Sequence, residues 1–161
     1  MIDFEIPEET KLVRGIVREF VHDVCIPAEK GLTVDTYDEI LFDLRQKARA
    51  KGLWCPFFPV EWGGMGLKPL ANALVQMELG ESILGALALN TQGPDDATMM
   101  TLLHHGTEYQ HEAFLKPLVA GEKRVCYAMT EKGGGADATG MKTSAVEDGD
   151  NYVLNGDKWY I

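Results

Sequence analysis

Cysteine is scarce in this 161-residue chain: Cys25, Cys55 and Cys126 are its only three. An odd, widely spaced set gives no disulfide framework and no paired CxxC metal site. The three are read as reduced thiols, most of them buried. Histidine is nearly as sparse, with His22, His104, His105 and His111. There is no HExxH and no His-rich cluster, so the residues point to no zinc site. GxSxG is also missing, and no motif assembles a nucleophile–histidine–acid triad. Basic residues are outnumbered: the net charge is −10 and the pI about 4.8. Such a surface repels phosphate backbones, which argues against nucleic acid as a partner. No apolar run is long enough to span a bilayer. The N-terminal "MIDFEIPEETK" is acidic and has no apolar signal-peptide core. A soluble cytoplasmic protein with no membrane partner is the expectation.

What is present is an ordinary globular composition, 45% hydrophobic and 25% charged. The length suits one domain, or one domain and part of another. Val13, Ile16, Val17, Phe20, Val21 and Val24 recur at helical spacing, and Pro7, Glu8 and Glu9 suit the first turn of that helix. Pro27 is expected to end or bend it soon after Ile26. Thr36 and Glu39 have the spacing of a capping box. They introduce a second helix whose apolar face is Tyr37, Ile40, Leu41, Leu44 and Ala48, with Gly52 as its stop. "GLWCPFFPVEWGGMGL" (52–67) reads as an ordered loop pinned by Trp54, Phe57, Phe58 and Trp62. Residues 69–89 are helical in pattern, with Leu70, Leu74, Met77 and Leu84 apolar. A short helix is expected between Pro94 and Gly106. Thr107 and Gln110 offer a second capping box for a helix running towards Lys116 and Pro117.

The pattern changes near Gly121. "RVCYAMT" suits a strand. "TSAVEDGDNYVLNGDKWYI" alternates and carries turn signals at Asp148-Gly149 and Asn155-Gly156. Three short antiparallel strands are expected. The chain therefore divides into a helical domain, 1–121, and the beginning of a β domain, 122–161. The sequence stops inside an expected strand at Ile161, which reads as a truncated product or fragment.

"YAMTEKGGGADATG" (127–140) is the densest glycine run. It is neither GxGxxG opening a helix nor a P-loop. Two readings remain: a tight strand-to-strand connection, or a nest of backbone amides that binds an anion.

Several segments occur together in one order. "PFFPVEWGGMGL" resembles the P-x-x-[YW]-G-G-x-G loop of acyl-CoA dehydrogenases, and "LVQMELGES" follows it as that family's next helix does. The stretch from "FLKPLVAGEKRVCYAMTEKGGGADATG" to "NGDKWYI" is similar to the family's junction between helical and middle β domains. There a Gly-Glu precedes a strand, then T-E-P-x-x-G-S-D and N-G-x-K. "KWYI" and "PDDATMM" look most like the branch that resembles the dehydrogenase part of large eukaryotic fusion proteins.

The resemblance implies a mainly α fold. An N-terminal helical bundle is followed by the first strands of an antiparallel β domain. It also implies FAD as cofactor, an acyl-CoA substrate, electron-transfer flavoprotein as partner, and a dimer or tetramer for the full-length protein. By position, Tyr127, Met129 and Thr130 would line the flavin ring, Met129 through its backbone and Thr130 through its hydroxyl. Gly135 and Ala136 would approach the cofactor phosphates and the acyl-CoA, and Tyr160 would stand beside the flavin. Two residues depart from the pattern: Ala136 replaces the usual serine and Lys132 the usual proline. The implied activity is oxidation of the Cα–Cβ bond of an acyl-CoA, with the family's catalytic glutamate outside this chain and the chain inactive alone. Two alternatives share the fold: a non-catalytic assembly module, and a flavin-dependent oxidase or monooxygenase.

Overall fold

The computed structural model describes residues 5–161. The chain forms two compact units, Met1–Arg124 and Val125–Ile161.

The first unit is helical. Helix α1 (Glu8–Phe20) buries Val17 and Phe20 and leads into a π-turn, Val21–Cys25, and then α2 (Ile26–Glu29). Pro27 does not end the helix at Ile26. The preceding turn opens by one residue, so that Ile26 N–H reaches Val21 O. This widening makes room for a ring that lacks a donor and would clash with the carbonyl four residues back. The same arrangement recurs later. Helix α7 (Glu108–Gln110) runs into a π-turn at His111–Leu115, and α8 (Lys116–Val119) follows with Pro117 near its start.

Helix α3 (Tyr37–Ala50) begins where the sequence placed it, but Thr36 makes no side-chain cap. Its hydroxyl donates to Gly31 O at 2.7 Å and accepts from Thr33 N–H at 2.9 Å, closing the preceding turn instead. The expected box at Thr107 is formed on both sides: Thr107 Oγ1 accepts from Gln110 N–H, and Gln110 Oε1 accepts from Thr107 N–H. Gly52 (φ +69°) stops α3, with Leu53 N–H bonded to Ala48 O at 2.9 Å.

Residues 69–89 are not one helix. α4 (Pro69–Leu79) and α5 (Gly85–Ala88) are separated by a turn. The buried face of α4 is Ala71, Val75, Glu78 and Leu79, while Leu70 and Met77 are exposed. Glu78 decides this rotation. Its carboxylate is bound by Arg14 Nε (2.5 Å) and Arg18 Nε (2.7 Å) from α1, so the polar stripe faces inward as an ion triad. The core around it includes Val17, Phe20, Val21, Leu44, Val75, Leu79, Leu84 and Leu89. Helix α6 (Asp95–His105) lies between Pro94 and Gly106 as expected.

The 52–67 loop is pinned by its aromatic residues. Trp54 Nε1 donates to Val119 O at 2.9 Å, and the Arg49 guanidinium lies 3.6 Å from the Trp54 ring centroid. Phe58 packs edge-on against Trp62, which meets His111 in the same way.

The second unit holds a hairpin of β1 (Ser144–Asp148) and β2 (Asn151–Asn155), turning at Gly149–Asp150 in the register Val146↔Val153. Among the described residues, "RVCYAMT" is extended but joins no sheet, and the strand expected after Asn155-Gly156, up to Ile161, does not form either. Between these two segments lies one isolated bridge, Glu131 with Lys158. A strand is defined by its ladder, and neither 124–130 nor 157–161 is paired into one.

Candidate functional site

Glu131 lies two residues before the first glycine of the run and organises it. Its carboxylate accepts hydrogen bonds from Lys142 N–H (2.6 Å), Thr143 N–H (2.9 Å) and Lys158 Nζ (2.9 Å). The side chain retains only 9% of its exposure. Thr143, the Lys142 amide and Lys158 hold its carboxyl down at about 2. Such a group stays ionised at neutral pH. Lys158 Nζ also donates to Met129 O at 3.0 Å and lies 3.7 Å from Met141 Sδ. Trp159 N–H donates to Thr130 O at 2.9 Å.

The backbone between these anchors folds tightly. Gly133 has φ +85°, which suits glycine, and Gly134 N–H returns to Glu131 O at 3.0 Å. Asp137 Oδ1 then accepts from Thr139 N–H (2.9 Å) and Thr139 Oγ1 (2.6 Å), which opens a short 3₁₀ turn at Ala138–Gly140. Thr139's side chain and amide lower the Asp137 pKa. Both carboxylates of the motif thus hold the loop together.

A cleft of about 210 Å³ results, lined by Met129, Thr130, Glu131, Gly134, Gly135, Asp137, Ala138 and Met141. Three of the six residues singled out from the sequence, Met129, Thr130 and Gly135, meet there. Ala136, Tyr127 and Tyr160 do not line it. Tyr127 is 69% exposed, and Tyr160 is 88% exposed with φ +55°. Lys132 Nζ sits 5.6 Å from the Trp159 ring centroid. Sequence reasoning missed Lys158 and Met141, and it gave Glu131 no role. The available signal was a lone lysine in N-G-x-K, 27 residues beyond the acid it pairs with.

Among the described residues, the Thr130 hydroxyl and Gly135 amide of the cleft, and the Ala136 amide beside it, make no hydrogen bond. A Cβ built on Gly135 would meet nothing within 4 Å, so the loop is open to a close neighbour there. Phosphate and carbonyl oxygens are the acceptors that such donors suit.

Two family models cover the chain in tandem. The acyl-CoA dehydrogenase N-terminal domain matches residues 7–122, and the acyl-CoA dehydrogenase middle domain matches 126–161. The chain belongs to the acyl-CoA dehydrogenase family. Among family relatives it is 33% identical over 160 residues to the caffeyl-CoA reductase–Etf complex subunit CarC of Acetobacterium woodii. That match covers 96% of this chain and 40% of the relative. It is 35% identical over 156 residues to acyl-CoA dehydrogenase family member 11 of Gallus gallus, covering 89% of this chain and 20% of that protein. Among solved structures, a Mycobacterium abscessus protein assigned to the acyl-CoA dehydrogenases superposes with a TM-score of 0.86 at 32% identity. The superposition covers 97% of this chain and 42% of that one. An acyl-CoA dehydrogenase from Bacillus anthracis complexed with FAD gives a TM-score of 0.69 at 28% identity, covering 98% and 27%. The chain thus spans well under half the length of these family members.

Proposed function

We propose that this chain supplies the helical domain (1–121) and the first part of the flavin-facing middle domain (122–161) of an FAD-dependent enzyme. The enzyme would oxidise the Cα–Cβ bond of an acyl-CoA thioester to the 2-enoyl-CoA. Bound FAD supplies the hydride acceptor in this chemistry. The chain's own contribution is one wall of the site. Thr130 offers a hydroxyl, and Gly135 and Ala136 offer backbone amides to acceptor oxygens. Met129 provides backbone beside the ring, and Tyr127 and Tyr160 provide aromatic faces. Ala136 also lies where the substrate thioester would pass. The reading rests above all on the clustering of Met129, Thr130 and Gly135 in one cleft whose open donors remain unpaired.

No residue of this chain is assigned as the base that removes the α proton. Glu131 sits in the right motif, but its oxygens are already bound by two amides and an ammonium. Electron-transfer flavoprotein is the proposed redox partner, supported by relatives that include a subunit of a reductase–Etf complex. A homo-oligomer of the complete protein is part of the same proposal.

The test is titration of the purified chain with FAD, followed by flavin fluorescence. Saturable quenching that weakens in Thr130→Ala supports the reading. Quenching no greater than with an unrelated acidic protein would refute the cofactor role. Acyl-CoA with an artificial electron acceptor should give no turnover on this chain alone. A tight yellow complex that bleaches with substrate would place the base within it.

A further inference from the structure

We propose that Glu131 and Lys158 act as a positioning clip, fixing which backbone groups of Met129–Glu131 are presented at the cleft. The clip's relevance to cofactor binding rests on the function proposed above; its geometry does not. The ammonium of Lys158 has three donors, and three acceptors surround it: Glu131 Oε1, Met129 O and Met141 Sδ. Glu131 in turn accepts through both oxygens, Oε2 from the Lys142 amide and Oε1 from the Thr143 amide and Lys158. Three stretches of chain, 129–131, 141–143 and 158–159, therefore meet at one ion pair.

The pair dictates peptide orientation. Lys158 holds the Met129 carbonyl towards itself. In a trans peptide the C=O and the following N–H point in opposite directions, so the Thr130 N–H is turned away from Lys158. The Thr130 carbonyl is taken by the Trp159 amide. What Thr130 has left to offer is its N–H and its hydroxyl. The clip thus commits both carbonyls to structure and leaves the donors for an acceptor-rich ligand. It also carries Trp159 and Tyr160 with it, because Lys158 immediately precedes them. Neither member is a proton-transfer group, since each is saturated with partners. Both are positioning residues.

The test compares Lys158→Met, Lys158→Arg and Glu131→Gln with the unmodified chain, using amide hydrogen exchange and titration with FAD. Hydrogen bonds to charged groups are stronger than neutral ones. On that basis Lys158→Met should speed exchange of the Trp159 amide by roughly tenfold or more. The hairpin amides of β1 and β2 serve as internal control and should stay within about twofold, since additivity holds away from the site. Glu131→Gln keeps the side-chain volume and should act in the same direction. Lys158→Arg should recover part of the protection, because it keeps the charge but replaces a three-donor point by a planar fork. FAD affinity should fall by about tenfold in Lys158→Met and partly return in Lys158→Arg. An unchanged Trp159 amide overturns the clip. So does acceleration of the hairpin amides to the same degree, which marks the pair as a general fold stabiliser. Equal FAD binding by the chain and by Lys158→Met overturns the positioning role. If the unmodified chain binds no FAD at all, the proposed function fails, and the Trp159 amide alone still decides whether the clip exists.

Discussion

Glu78 is 2% exposed and carries a charge, which is tolerable only because Arg14 and Arg18 bind both of its oxygens. Arg18 foremost, with Arg14, holds its pKa below the usual carboxylate range against the opposing push of burial. Glu78→Ala should destabilise the helical unit by about 1–3 kcal/mol. The loss stays below that for a sealed pair because both arginines are partly exposed and can turn to water. Urea denaturation followed by far-UV circular dichroism measures it. Glu131 makes a pH-dependent prediction. Its folded pKa is about 2, below its usual value of 4.5. The stability it confers is therefore fully present above about 4.5 and is lost as pH falls through about 2. Exchange protection at Thr143 and Trp159 should decline across that window. Glu131→Gln should flatten the decline, and an unaltered profile in that variant would show that another group controls it. The buried thiols provide a contrast: burial pushes Cys25 up to about 12 and Cys55 up to about 11. Both should resist alkylation in the folded chain, while the exposed Cys126 reacts.

Glycines separate at the scale of elements. Gly15 lies in the interior of α1, and an added Cβ meets nothing within 4 Å. Gly15→Ala should stabilise by about 0.5–1 kcal/mol, the ordinary helix gain. Gly64 lies in the loop after α3, where a Cβ would fall 2.1 Å from Phe58 O and 2.8 Å from Cys55 O. Backbone cannot yield as a side chain does. Gly64→Ala should cost about 1–3 kcal/mol, seen as a lower thermal midpoint; a neutral result would mean that the loop is not pinned at Trp54 and Phe58. This loop was legible in the sequence because its aromatic and glycine residues carry their reasons locally. So were the helix ends at Gly52 and Thr107. The face of α4 was not, because two stripes compete at helical spacing. The winning one contains Glu78, whose arginine partners lie 60 and 64 residues away. The capping box at Thr36 failed for a related reason: the hydroxyl had a competing acceptor in Gly31 O. In the candidate site, the glycine run and its threonine were readable. The pairing of Glu131 with Lys158 was not, since long-range ion pairs leave no periodic trace.

For the molecule as a whole, the buried apolar side chains among the described residues all fall between Val17 and Val119. The second unit contributes none. Its hairpin exposes Val146, Tyr152, Val153 and Leu154, and both strands have open edges. Amides of 125–161 should therefore exchange through local openings well below the global unfolding free energy, and those of α1, α3 and α4 near it. Unprotected edges with apolar faces also favour pairing between copies. Light scattering of the purified chain should show association that grows with concentration and is reduced by Val153→Lys. A strict monomer with a well-protected hairpin would count against both expectations. Among the described residues no helix is long and apolar enough to cross a membrane.

The two widened turns before Pro27 and Pro117 bear on which insertions and deletions the chain tolerates. A π-turn is an α-helix carrying one supernumerary residue. In an ordinary helix, loss of one residue rotates everything downstream by about 100° and throws the buried face into solvent. Removing one residue from Val21–Cys25 would instead return the segment to regular α-helix with its downstream phase preserved. The obstacle is Pro27, whose ring would then meet the carbonyl that the bulge now moves aside. Deletion of Asp23 alone should destabilise the chain, whereas the same deletion combined with Pro27→Ala should recover much of the loss. The extra residue and the proline are thus mutually permissive, and a lineage that discards one is free to discard the other.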